Sequence, residues 1–131
     1  MIATTIEQSR HLLELGLDPK TADMYYPYFG AGQYGDIPRV GFPIEYSGGR
    51  DIPAWSLSAL LEVMPSNIGD YDLYTTKHKY VDGGHGYNVE YNRGFTISVL
   101  HKETSRDLVD AAYEMVCWLL ENNLIKKGVQ D

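Results

Sequence analysis

The chain has 131 residues, 44% of them hydrophobic and 22% charged, and its 18 acidic against 11 basic side chains give a formal charge of −7. That balance suits a soluble domain large enough to bury a core, repels phosphate and so argues against nucleic acid as a partner. The apolar runs are too short to span a bilayer, which argues against a membrane protein. A single cysteine, Cys117, excludes an internal disulfide and a multi-cysteine zinc site, and points to a cytoplasmic setting.

Taken in chain order, Thr4-Thr5-Ile6-Glu7 reads as a capping box, with Thr4 as cap and Glu7 reaching back. It opens a helix predicted over about 4–15. Gly16 suits the left-handed position that stops a helix, and Leu17 after it suits a Schellman ending. Asp18-Pro19 then has the cap and first-turn residues of a short second helix, about 18–26.

From 27 to 52 glycine, proline and tyrosine recur too often for any helical period, and the segment reads as irregular. Only Val40 to Tyr46 has strand character, at a sheet edge because Pro43 cannot donate. The stretch GAGQYG, Gly30 to Gly35, fits the dinucleotide pattern G-x-G-x-x-G letter for letter. The pattern has meaning only between a buried strand and a helix that meets the pyrophosphate. Here MYYPYF precedes it and DIPRVGFP follows, so it reads as a glycine-rich loop.

In IPAWSLSALLEVMP the residues Leu57, Leu60, Leu61 and Met64 recur at helical spacing. They predict a helix over about 55–64, with Pro53 in its first turn and Pro65 at its end. Residues 71–102 read as a three-stranded antiparallel meander. A loop Asn92–Gly94 pairs Tyr91 with Phe95, Val89 with Ile97 and Tyr87 with Val99. A loop Gly83–Gly86 sets Tyr80 against Val89, His78 against Tyr91 and Lys79 against Glu90. One face then carries Tyr74, His78, Tyr80, Tyr87, Val89, Tyr91, Phe95, Ile97 and Val99. The last helix is predicted over about 104–123. Leu108, Ala112, Met115, Val116 and Leu119 form its buried arc, its acids lie opposite, and Cys117 and Trp118 stand at the borders. The expected fold is a single α+β domain, 1–131, with helices packed on the meander.

No catalytic set, cofactor motif or metal cluster assembles along the chain. Cys117 lies late in its helix beside Glu114 and Glu121, which disfavours a thiolate. His78, His85 and Glu90 share the meander and suggest a small-molecule binder or small hydrolase. That requires them to converge, and in the register above His78 and Glu90 face opposite ways. Tyrosine is the anomaly, at 11 residues against three phenylalanines and two tryptophans. Amphipathic rings beside glycines suit partner contacts, so Tyr25, Tyr26, Tyr28 and Tyr34, with Trp118, are the candidate partner-binding residues.

The blocks IPAWSLSALLEVMP (Ile52 to Pro65) and DAAYEMVCWLLENNLI (Asp110 to Ile125), with LDPKTADMYY upstream, resemble a family of small uncharacterised proteins of prophage and mobile-element regions in gut anaerobes. No activity or site residue comes with that resemblance. It implies a cytoplasmic, phage- or element-encoded accessory protein. The tyrosine excess, the acidic charge and the lack of a catalytic set make it more a binder than an enzyme, with another protein or a second copy of itself as partner.

Overall fold

The computed structural model describes residues 1–41, 50–94 and 98–128. The fold is α+β, with antiparallel sheets and a C-terminal helix. Helix α1, Ile6–Glu14, has Thr5 as its cap. Thr5 Oγ1 accepts from the Gln8 N–H and the Gln8 side chain returns the bond, so the capping box sits one residue later than Thr4/Glu7. Thr4 is drawn away because it is fully buried. Its Oγ1 meets Ser9 Oγ at 2.8 Å and accepts the Trp55 N–H at 3.1 Å. The helix stops as expected: Gly16 takes φ +99°, Leu17 N–H reaches Leu12 O, and Gly16 N–H reaches Leu13 O.

The second helix predicted over 18–26 is one 3₁₀ turn, Pro19–Thr21, capped by Asp18. Strand β1, Met24–Tyr26, follows at once. Met24 and Tyr26 alternate inward as a strand requires and bury beside Ala3, which leaves no reason for a helix to continue. Strands β2, Tyr28–Gly30, and β3, Gln33–Tyr34, form a two-stranded ribbon. GAGQYG is therefore mostly the turn of a β-ribbon, with Gly30, Ala31 and Gly32 all at positive φ. Strand β4, Arg39–Val40, is the described part of the edge strand expected at 40–46; Phe42 to Tyr46 lie outside the described residues. Strand β5, Ile52–Ala54, pairs with β1 in the order β4-β1-β5, which moves Pro53 from a helix turn into a strand.

Helix α2 is Leu57–Val63 with Ser56 as cap. It starts two residues later than predicted because Trp55 is committed elsewhere. Its side chain is fully buried, and its Nε1–H donates to Thr21 Oγ1 at 2.9 Å. Asp23 accepts from both the N–H and the hydroxyl of Ser56, fixing the cap to β1.

The second sheet has four strands in the order β6-β7-β8-β9: Asn67–Ile68, Tyr71–Lys79, His85–Asn92 and Val99–Ser105. Its register departs from the expected one in both hairpins. Leu73 opposes Tyr91, Thr75 opposes Val89 and Lys79 opposes His85; across β8, Tyr91 opposes His101 and Tyr87 opposes Ser105. The first turn lies at Tyr80–Gly84, closed by Tyr80 N–H to Gly84 O and Gly83 N–H to Tyr80 O. Gly86 belongs to the strand rather than the loop. A Cβ there would stand 2.3 Å from the Tyr80 hydroxyl, because the Tyr80 ring covers the glycine. The slip reverses the faces of β7. Tyr74 and His78 point away from the helices, Glu90 opposes Lys102 rather than Lys79, and Val99 is exposed. The expected partners Phe95 and Ile97 lie outside the described residues.

Helix α3 is Leu108–Glu121, capped by Asp107. It begins four residues after the predicted start because Thr104 and Ser105 finish β9. It packs across β8 and β9, so Ala112, Met115, Val116 and Leu119 close over Val89 and Tyr91, with α2 alongside. Cys117 is buried rather than at a border. Burial also raises the Tyr91 phenol, whose hydroxyl donates to Pro65 O at 2.7 Å. None of the helices among the described residues is long and apolar enough to cross a membrane.

Candidate functional site

Arg10 and Leu13, three residues apart on α1, share one helix face. That face looks onto the β2–β3 ribbon, where Tyr28 and Tyr34 are register partners. Their rings lie 5.2 Å apart, tilted by 53°. The Arg10 guanidinium stands 5.5 Å from the Tyr34 ring centre, and Arg50 stands 5.6 Å from that of Tyr28. Ile52 completes a groove of about 710 Å³. Asp51 also lines it, and its carboxylate, only 8% exposed, accepts the Tyr28 N–H at 2.8 Å. That bond ties the ribbon to the start of β5.

The other side of the ribbon is apolar and open. Phe29 is 63% exposed and Ile37 73%, and Val40, on β4 a few residues later, is 84% exposed. Phe29 and Ile37 line a smaller hollow of about 410 Å³, with Arg39 placed 5.8 Å over the Phe29 ring. Gly35 allows the ribbon to fold this tightly. Its N–H donates to Pro27 O, and a Cβ on it would stand 2.9 Å from the Pro27 ring.

All five arginines of the chain lie over a tyrosine or phenylalanine ring. Three of those five pairs belong to this region. Among the described residues, no ion pair involves Arg10, Arg39 or Arg50, whereas Arg106 meets Asp82 at 2.7 Å.

The five tyrosine and tryptophan candidates divide. Tyr28 and Tyr34 come together at the groove, half-buried. Tyr25 is half-buried on β1 beside Gly41. Tyr26 leaves the set: it is buried, its hydroxyl donates to Thr4 O at 2.8 Å, and burial raises its pKa. Trp118 lies elsewhere, in the seam of α3 and β9. Its ring is stacked on His101 at 4.1 Å and 2°, and His101 Nε2 in turn contacts Glu103.

His78, His85 and Glu90 do not converge. His78 and Glu90 share the outer face, contrary to expectation, but lie four residues apart along the ladder, about 13 Å. His85 opposes Lys79 and so belongs to the other face. His78 is edge-on to the Tyr80 ring at 4.7 Å, and its Nδ1 has no hydrogen-bond partner among the described residues. No group of three metal-ligating side chains gathers among the described residues.

Arg10 and Arg50 escaped the reading of the sequence, since 40 positions separate them and neither belongs to a motif. Compared with known protein families, curated proteins and solved structures, the chain matches none.

Proposed function

We propose that this chain is a non-enzymatic accessory protein that acts by binding another protein, and that the ribbon of residues 28–40 carries the contact. One observation supports this most. Phe29, Ile37 and Val40 leave their apolar side chains in water within a dozen residues of each other. Most of the other large apolar groups are buried in two clusters, and the remaining exposed ones, such as Ile2, Val81, Val99 and Leu124, are spread along the chain. Exposed apolar side chains grouped this way mark contact surfaces, and the tyrosines beside them add adaptable polar tips. The mobile-element setting of this reading rests on the two helical sequence blocks alone.

The test is affinity capture from a lysate of the source organism, read by mass spectrometry. A second bait carries Phe29→Ser, Ile37→Ser and Val40→Ser and is checked for native circular dichroism. A stoichiometric partner retained by the first bait and lost by the second supports the reading. A partner held equally by both baits, or none held by either, overturns it.

A further inference from the structure

Acids outnumber bases 18 to 11 in this chain, yet the groove between α1 and the ribbon is lined by two guanidinium groups without an ion pair among the described residues. We propose that this groove binds a small anion carried on a flat apolar body, such as an aromatic carboxylate or phosphate monoester. The site is separate from the open apolar face of the ribbon and does not depend on the interaction reading.

Three features specify the ligand. A guanidinium that gives its face to an aromatic ring keeps its N–H donors in its own plane, directed past the ring edge. Arg10 lies 5.5 Å from the Tyr34 ring centre and Arg50 5.6 Å from that of Tyr28, and since neither makes an ion pair among the described residues, their N–H donors are left for an anion. Leu13, Ile52 and the paired tyrosine rings supply an apolar lining that suits a flat body. The volume, about 710 Å³, is that of a small-molecule site. Among the described residues, Asp51 is the one carboxylate in the lining. It is engaged by the Tyr28 N–H, and among the described lining residues two guanidinium groups stand against this one carboxylate.

The experiment titrates the full chain with naphthoate, naphthyl phosphate and neutral naphthalenemethanol, followed by ¹H–¹⁵N NMR including the arginine Nε–H signals. The two anions are expected to shift Arg10, Arg50 and the amides of Tyr28 to Tyr34. The neutral analogue should bind at least about ten-fold more weakly. The double variant Arg10→Gln/Arg50→Gln should lose about the same factor. Arg39→Gln, whose guanidinium lies over Phe29 in the other hollow, should lose nothing. Comparison of carboxylate with phosphate sorts the two anion classes. If the double variant fails to fold, the charge dependence on the unaltered protein still decides. Absence of shifts at millimolar anion, equal binding of the neutral compound, or an equal loss with Arg39→Gln would overturn the proposal.

Discussion

The region where α3 lies on β8 and the region of the ribbon solve opposite problems with the same residue types. In the first, Tyr91 is fully buried and spends its hydroxyl on Pro65 O, while Leu119, Met115 and Val116 close around it. In the second, Phe29 and Ile37 stay in water, and Tyr28 and Tyr34 turn half-exposed faces to a groove flanked by arginines. The contrast teaches that the tyrosine excess has no single meaning. Tyr26, Tyr91 and Tyr113 are core, and the ribbon tyrosines belong to a surface.

The joint between the two regions is Trp55, and the comparison breaks most visibly there. It is fully buried, and its indole N–H and backbone bind Thr21 and Thr4. Trp55→Ala is expected to cost about 3–5 kcal/mol in urea unfolding, enough to leave a marginal fold. Thr4→Val should cost about 1–3 kcal/mol, because it strands the Ser9 hydroxyl and the Trp55 N–H in the core. Thr4→Ser should recover most of that loss.

The α3 side can be probed by pH. Burial pushes the Cys117 thiol up to about 12. Its proton is held more tightly in the folded chain than in the unfolded one, so its contribution is whole below about pH 9 and fades as pH rises toward 12. Tyr91 and Tyr113, raised in the same direction by burial, act with it. Alkaline unfolding should therefore begin above pH 9. Iodoacetamide should label Cys117 only in urea, and labelling of the native protein at neutral pH would contradict the packing described.

On the ribbon the expected effects are small and of the other sign. Ala31 takes φ +50° between two glycines also at positive φ. Ala31→Gly should stabilise by about 0.5–1 kcal/mol, the left-handed penalty less the entropy of the glycine.

The regions also differ in how far the sequence reveals them. Helix α3 could be read because Ala112, Met115, Val116 and Leu119 repeat at helical spacing, and α1 because its ending chemistry is local. Register could not be read that way. In it Gly86 of β8 lies under the ring of the turn residue Tyr80, a contact that no local pattern shows, and the Gly83–Gly86 run looks like a loop on its own. Strand β1 reads as helix from the sequence because three residues are too few to show alternation. The groove was hidden for a further reason: Arg10, Tyr28, Tyr34 and Arg50 are gathered by the fold and carry no spacing of their own. The aromatic half of the site was visible as an excess of tyrosine. The cationic half was not.

The central claim is that the ribbon is a surface the fold does not require. Equilibrium urea unfolding of the Phe29→Ser/Ile37→Ser/Val40→Ser variant tests it most directly. Because all three side chains stand in water, the midpoint and slope should match the unaltered protein, with a free-energy change within about 1 kcal/mol. A loss of about 3 kcal/mol or more, the size of a core truncation, would mean that these residues hold the fold together and are not an open face.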